Sequence, residues 1–261
     1  MVSALAARGW TRFGWDAGIA AWVEAALPHA MASMEDPALA EWWDCEDTWF
    51  IGVDALHNDE SGAVSGQPLA GQAVDFIHET FGAMPPLHRA QVSVVRPGYP
   101  RPRRGESEAG FRYRDRRFAA HVDGLKFEGP DRRRTIAEPH AFILGIPMND
   151  APAHAAPLVV WEGSHEVIRA GMADFLKDVP RADWGRVDIT DAYVAARKRA
   201  FETCPMVEVH ARPGECYLMH RLVVHGVKGW ETRRAGDPEN RIIAYFRPEI
   251  AGGAEAWLDQ P

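Results

Sequence analysis

The stretch Gln91-Val-Ser-Val-Val95 opens a series of short, β-rich segments that decides the fold of this 261-residue chain. Valine and isoleucine favour extended backbone, and the glycine, proline, asparagine and aspartate residues between the segments favour turns. The later segments lie at residues 140–146, 157–161, 206–210, 216–219 and 241–246. Many short strands without alternating helices predict a β-barrel or jelly roll and not a parallel α/β sheet.

Helical segments are expected around this β-rich region. Residues 19–34 are rich in alanine, the strongest helix former, although Pro28 is expected to break or kink the helix. Residues 69–81 carry apolar side chains at helical spacing, and Gly82 follows where a C-terminal cap belongs. A further helical insertion is predicted at residues 172–201, between two of the strands.

The sequence predicts a single domain over residues 1–261 that is mainly β with flanking helices. Within it, residues from 1 to about 88 are expected to form a helical support, and residues from about 89 to 250 the β core. A polar loop at residues 101–117 carries seven arginines and three acidic residues. This loop is interpreted either as a solvated excursion or as a lid whose arginines bind an anionic substrate.

The amino-acid composition argues against nucleic-acid-binding, disulfide-rich and membrane-spanning proteins. The net charge of -8 disfavours nucleic acid as a partner, because phosphate backbones repel an acidic surface. The three cysteines, Cys45, Cys204 and Cys216, have no paired spacing, which is typical of a reducing compartment. The apolar run at the N-terminus is too short for a signal peptide, and no stretch approaches the roughly 18 apolar residues that span a bilayer. We therefore expect a soluble cytoplasmic protein that binds neither nucleic acid nor membrane.

A metal site is predicted after the polar loop, in Ala119-Ala-His121-Val-Asp123-Gly124. On an extended segment His121 and Asp123 point to the same side, so both can contact one metal ion. Two histidines and one carboxylate on one face of an octahedron are the ligand set of non-haem iron(II) oxygenases. The third ligand must come from a distant strand, and the candidate histidines are His140, His154, His165, His210, His220 and His225.

His225 is the preferred third ligand. It ends the apolar run Leu222-Val-Val224 and precedes Gly226, where a strand end meets a roomy turn. His220 lies five residues earlier, so on a regular strand its side chain faces the opposite side.

The order of these motifs resembles the phytanoyl-CoA dioxygenase family. The H-x-D motif is followed by Leu-Val-Val-Trp-Glu-Gly-Ser-His at residues 158–165, Pro-Gly-Glu at 213–215, His225-Gly226 and Arg241. The resemblance covers residues 91–248. It implies a double-stranded β-helix, the cupin-like jelly roll, with Fe(II) bound by His121, Asp123 and His225 and with 2-oxoglutarate and O2 as co-substrates.

The same resemblance implies roles for further residues. Arg241 carries over as the partner of the far carboxylate of 2-oxoglutarate, which a guanidinium fork matches with two hydrogen bonds. Its spacing of 16 residues from the last ligand exceeds the family's usual interval. Arg247, on the same strand face, is therefore the alternative anchor. Gln91 and Ser93 match positions that approach the co-substrate, and His165 is interpreted as a wall of the site or as a structural residue.

The resemblance implies hydroxylation of a small molecule with release of succinate and CO2. A carboxylate at position 123 favours hydroxylation over halogenation, because the related halogenases lack a coordinating residue there. The arginines at 101–117 and 132–134 favour an anionic substrate. Two alternatives stay open at this point: a cupin-like isomerase or lyase that does not use O2, and a non-catalytic protein that binds a metal or ligand.

Overall fold

The computed structural model describes residues 2–129 and 131–260. Its helices are α1 (Val2–Arg8), α2 (Ala17–Glu35), α3 (Gln72–Phe81), α4 (Glu108–Arg116), α5 (Ser164–Leu176), α6 (Thr190–Thr203) and α7 (Gly253–Asp259). Its strands are β1 (Trp10–Phe13), β2 (Trp43–Asp44), β3 (Trp49–Phe50), β4 (Gln91–Val95), β5 (Leu125–Glu128), β6 (Arg133–Ile136), β7 (Phe142–Pro147), β8 (Leu158–Trp161), β9 (Met206–Val209), β10 (Cys216–His220), β11 (His225–Val227) and β12 (Arg241–Phe246). None of the helices in these ranges combines the length and the apolar character that a bilayer crossing needs.

The strands form two main antiparallel sheets. The larger sheet has the order β1-β10-β7-β12-β4-β3-β2, the smaller has the order β11-β8-β9, and β5 pairs with β6 in a separate hairpin. A buried apolar cluster contains residues from both main sheets, which therefore face each other. Its members are Ile143, Leu158, Val160, Val209, Tyr217, Met219, Val223 and Ile243.

Strand β12 shows how the larger sheet divides the protein into two layers. Ile242, Ala244 and Phe246 join the main core cluster, which also contains residues of α2 and α3. Ile243 instead belongs to the cluster between the sheets. Because side chains alternate along a strand, Arg241 shares the inter-sheet face with Ile243.

Most of the predicted strands are confirmed. The segments at 91–95 and 241–246 have the predicted bounds, and the other four differ by at most two residues at either end. The sheet-rich architecture with flanking helices agrees with the sequence analysis. The first ninety residues contribute more than helices, because β1, β2 and β3 lie in the larger sheet.

Two helical predictions and one loop prediction need correction. Pro28 does not break its helix, because α2 continues through it and buries Trp22, Ala26 and Ala30 on either side of it. This packing outweighs the hydrogen bond that proline cannot make. The predicted insertion is two helices, α5 and α6, separated by a segment that contains Pro180 and a short 3-10 helix.

The third correction concerns the polar loop at 101–117, which contains helix α4. The Ser107 hydroxyl caps the helix by accepting a hydrogen bond from the Gly110 N–H at 3.1 Å. Arg114 pairs with Glu106 at 2.8 Å and anchors the helix to the preceding chain. The helix has no buried residue, so it lacks the apolar stripe by which a sequence reveals a helix.

The contact between α2 and the larger sheet predicts a large effect at Trp22. This side chain is fully buried, lies 5.7 Å from the Phe246 ring centroid and donates a hydrogen bond to the Gly62 carbonyl. Trp22→Ala is expected to lower the free energy of unfolding by about 3–5 kcal/mol, since it leaves a cavity. Trp15→Ala, at a side chain that is 64% exposed, should change it by less than about 0.5 kcal/mol. Chemical denaturation measures both, and equal effects would contradict the packing described here.

Candidate metal centre

Two backbone hydrogen bonds join His121 to His225. The His121 N–H donates to the His225 carbonyl at 2.9 Å, and the His225 N–H donates to the His121 carbonyl at 3.0 Å. This is an isolated antiparallel bridge between the segment before β5 and strand β11. It places the two imidazole rings side by side, with ring centroids 4.6 Å apart.

Asp123 completes a three-residue cluster with the two histidines. One potential ligand atom from each side chain lies within 4.8 Å of the other two. The Nε2 atom of His121 is 3.0 Å from Oδ1 of Asp123, and the Nε2 atom of His225 is 3.9 Å from Oδ2. The side chains of Asp123 and His225 are about one-tenth exposed, whereas that of His121 is 47% exposed. The cluster therefore opens to solvent on the His121 side.

Backbone carbonyls orient both imidazoles. Nδ1 of His121 is 2.9 Å from the Ala119 carbonyl oxygen, and Nδ1 of His225 is 3.0 Å from that of Val223. A carbonyl only accepts, so each Nδ1 donates a proton to its carbonyl, and in the neutral imidazole the lone pair of Nε2 is left for a metal ion on the Asp123 side. Such an outer contact fixes the tautomer of metal-binding histidines in proteins. The donor set therefore suits a divalent cation.

The charges around the cluster keep the carboxylate ionised. Burial alone would raise the pKa of Asp123, but the Arg247 guanidinium, 3.5 Å away, and the two histidines hold it well below its ordinary value. Burial and the neighbouring His121 lower the pKa of His225 to about 4. For His121, burial is outweighed by the contact with Asp123, which raises the pKa. At neutral pH the cluster thus contains one anion and a neutral buried imidazole at 225.

Glycine at position 226 allows β11 to approach the segment that precedes His121. A Cβ atom there would lie 2.3 Å from the Phe118 carbonyl oxygen and 3.1 Å from the Ala120 Cα atom. That carbonyl also accepts a hydrogen bond from the Val227 N–H at 2.9 Å. Any side chain at 226 would therefore push residues 118–120 away from β11.

Residues of the helical insertion hold the same backbone from outside. The buried Ser164 hydroxyl accepts a hydrogen bond from the Val224 N–H at 2.8 Å, beside His225. The Tyr193 hydroxyl accepts from the Val122 N–H at 3.1 Å, and Arg197 donates to the Ala120 carbonyl at 3.2 Å. These three residues fix both strands of the site, yet the sequence analysis did not single them out. Ser164 belongs to the Gly-Ser-His motif, which was the available signal.

The other candidate histidines lie outside the cluster. His154 pairs with Asp237 at 2.8 Å, and His210 contacts the Ala151 carbonyl at 2.9 Å. His165 contacts the Ala6 carbonyl and stacks on His220, with ring centroids 4.9 Å apart. His140 is buried, and neither of its ring nitrogens has a hydrogen-bond partner among the described residues.

The two candidate arginines occupy different positions on the inter-sheet face. Arg247 lies beside the three-residue cluster, where its Nη1 atom contacts Asp123. Arg241 lies six residues away, at the other end of β12, so the two Cα atoms are about 20 Å apart along the strand. Arg241 is 6% exposed, and its Nη1 atom has no hydrogen-bond partner within the described residues. A buried guanidinium with an unpaired N–H is a strong anion-binding group.

Gln91 and Ser93 lie on β4, which pairs with β12. Ser93 is opposite Ile243 and Gln91 is opposite Tyr245, so both share the inter-sheet face. Ser93 is buried and accepts a hydrogen bond from the Trp49 indole N–H at 3.3 Å, which leaves its own proton free to donate. Gln91 is half-buried.

Comparisons with known proteins find likeness in structure and none in sequence. No family model matches the sequence, and no curated protein matches it significantly. The chain resembles the crystal structure of SnoK, a non-heme alpha ketoglutarate dependent carbocyclase from nogalamycin biosynthesis. The TM-score is 0.52, with 15% identity over 98% of this chain and 88% of that chain. The likeness establishes the fold.

A second similar structure is that of SnoN, described as a non-heme alpha ketoglutarate dependent epimerase. Its TM-score is 0.51, with 17% identity over 99% of this chain and 84% of that chain. Another SnoN structure, with a TM-score of 0.50 and 15% identity, contains Fe3+, alpha ketoglutarate and nogalamycin RO. At such low identity the comparison supports a shared architecture and leaves the chemistry to the residues of this chain.

The close approach at residue 226 makes a specific prediction about metal binding. Gly226→Ala is expected to weaken the affinity for a divalent metal by more than about tenfold, because displacing residues 118–120 separates the two histidines. Gly14→Ala is the matched control, since a Cβ atom there meets no atom within 4 Å. Calorimetric titration of metal-free protein measures both. Unchanged affinity in a folded Gly226→Ala variant would contradict the geometry.

Proposed function

We propose that this protein is an Fe(II)- and 2-oxoglutarate-dependent dioxygenase that hydroxylates a small molecule. The observation that carries the proposal is the cluster of His121, Asp123 and His225, whose potential ligand atoms lie within 4.8 Å of one another. The proposal includes the phytanoyl-CoA dioxygenase family and its double-stranded β-helix, which the order of motifs supports. Bound Fe(II) would supply the activation of O2, coupled to conversion of 2-oxoglutarate to succinate and CO2.

The ligand set supports iron and an open coordination sphere. Two imidazoles and one carboxylate are the facial set of non-haem Fe(II) oxygenases and leave positions for a co-substrate. Because the His121 side chain is 47% exposed, a substrate could approach a bound metal from that side. His225 and Asp123, whose side chains are about one-tenth exposed, would hold the metal from the protein interior. A zinc hydrolase with two histidines and a carboxylate needs a similar set, so metal preference enters the test.

Arg241 is the proposed anchor for the far carboxylate of 2-oxoglutarate. Its guanidinium is buried, has an unpaired N–H and lies on the inter-sheet face. For one five-carbon diacid to bind both the metal and Arg241, the long Arg241 side chain would have to extend along the inter-sheet face toward the cluster; the diacid would then supply an anion that no described residue supplies. Gln91 and Ser93 are proposed to border the same co-substrate, since they are the polar groups of β4 on this face.

Arg247 is proposed to orient Asp123. Its Nη1 atom approaches Oδ2 of Asp123, which is the oxygen farther from the histidine at 121. Holding one carboxylate oxygen by a guanidinium leaves the other for the metal and fixes the direction of its lone pair. Arg247 is too close to the ligands to accommodate the distant end of a five-carbon diacid. This separates the roles of the two arginines.

The first test removes a ligand. Asp123→Ala and His225→Ala are expected to abolish iron-dependent formation of succinate from 2-oxoglutarate, because two remaining donors cannot hold the metal in a reactive position. His78→Ala removes an exposed histidine on α3 and should leave the rate unchanged. Succinate is measured under air and under anaerobic conditions. Full activity in either ligand variant, or turnover without O2, would contradict the proposal and favour an isomerase or lyase.

The second test separates the two arginines. Arg241→Gln is expected to weaken 2-oxoglutarate binding about tenfold or more while metal affinity stays unchanged, since the lost contact is with the co-substrate. Arg247→Gln is expected to change metal affinity itself, because it releases a ligand oxygen. Anaerobic calorimetry with Fe(II), followed by 2-oxoglutarate, measures both. The reverse pattern would exchange the two roles, and binding of Zn2+ alone would point to hydrolytic chemistry.

A further inference from the structure

Six side chains beside the cluster of His121, Asp123 and His225 alternate between guanidinium and aromatic groups. We name this set the cation–π ladder, and its members in order are Phe127, Arg134, Tyr193, Arg197, Phe201 and Arg117. The guanidinium carbon of Arg134 lies 4.2 Å from the centroid of the first ring and 5.2 Å from that of the second. Arg197 lies 5.1 and 5.9 Å from the second and third rings, and Arg117 lies 4.6 Å from the third.

The ladder draws on three parts of the chain. Tyr193, Arg197 and Phe201 are spaced by four residues along α6 and so occupy one helix face. The hairpin of β5 and β6 supplies one ring and one guanidinium, and the segment before the H-x-D motif supplies Arg117. Arg132 adds a further guanidinium, 4.2 Å from the Phe127 ring.

Within the described part of the chain, the arginines of the ladder have no acidic partner. Among the described residues, no carboxylate oxygen lies within the 4.0 Å of an ion pair from Arg117, Arg132, Arg134 or Arg197, whereas the neighbouring Arg133 pairs with Asp188 at 2.9 Å. Burial and the charges of Arg197 and Arg132 lower the pKa of Arg134. In a chain of net charge -8, this is a concentrated and uncompensated cationic surface.

The ladder touches the backbone of the metal-binding segment. Arg197 donates to the carbonyl of Ala120, and the Tyr193 hydroxyl accepts from the N–H of Val122. Ala120 and Val122 flank His121 in the sequence, and His121 is the exposed member of the cluster. An anionic group held on the ladder would therefore lie next to the side from which the metal centre is reached.

We propose that the cation–π ladder binds a phosphate or pyrophosphate group of the substrate, which rests on the proposed function of the metal centre. Two successive guanidinium groups contact the same aromatic ring. The guanidinium carbons of Arg134 and Arg197, for example, lie 5.2 and 5.1 Å from the centroid of the Tyr193 ring, so they are at most about 10 Å apart. A single carboxylate occupies one guanidinium fork, whereas a phosphate or diphosphate offers enough oxygens for several. The aromatic rings hold the guanidiniums in place, so little side-chain freedom is lost on binding.

The test is a calorimetric titration of the metal-free full chain with inorganic pyrophosphate, with succinate as the dicarboxylate comparison. Metal-free protein is used because pyrophosphate chelates metal ions. The double variant Arg117→Gln/Arg134→Gln removes two side chains that make no hydrogen bond among the described residues, which spares the contacts of Arg197. We expect it to weaken pyrophosphate binding about tenfold or more. Binding by the wild type should also weaken as salt concentration rises.

Arg133→Gln is the matched control. It lies on the same hairpin and removes the same charge, but its guanidinium pairs with Asp188. We expect it to change pyrophosphate affinity less than about twofold. The proposal is overturned if the wild type binds succinate as tightly as pyrophosphate, or if the double variant binds pyrophosphate as the control does. If the wild type binds pyrophosphate but binds neither Fe(II) nor 2-oxoglutarate, the proposed function is overturned and the proposal for the ladder stands.

Discussion

The pair of backbone hydrogen bonds between His121 and His225 is the constraint on which the candidate site depends. Side chains can adjust by rotation, but two main-chain bonds fix the distance and the relative tilt of the segments that carry the ligands. The bridge exists because β11 is paired with β8 and because Ser164 holds the chain beside it. It also requires Gly226, where another main chain passes. The site is thus a property of the packed sheets.

The charges at the two ends of β12 are arranged differently. Arg247 neutralises the single carboxylate of the cluster, whereas Arg241 is buried with an unpaired N–H. Burying a guanidinium without an anion costs stability, so folding places an unfavourable group where a dicarboxylate would relieve it. The protein is therefore expected to gain more stability from an anionic co-substrate than the contact area alone would suggest.

The sequence predicts the strands and the short motifs, which are patterns within one segment. It does not predict contacts between side chains of different elements. The bounds of β4 and β12 follow from β-branched runs that end at glycine, proline or polar residues. Helix α4 was not predicted from the sequence because its stability comes from a cap and from ion pairs. The H-x-D pair and the strand-ending histidine are visible as motifs. Contacts such as that of Arg247 with Asp123 depend on sheet register, which local sequence does not encode.

About a hundred residues separate the two halves of the bridge, and this has a consequence for biosynthesis. A ribosome that adds about 5–20 residues per second exposes His121 several seconds before His225 exists. During that interval the nascent chain presents only one imidazole and one carboxylate of the cluster, too few to retain an ion there. A metal ion held by this cluster would therefore bind only after both sheets are complete. The supply of metal would then affect the lifetime of the finished protein, by mass action on its folded form, more than its route to that form.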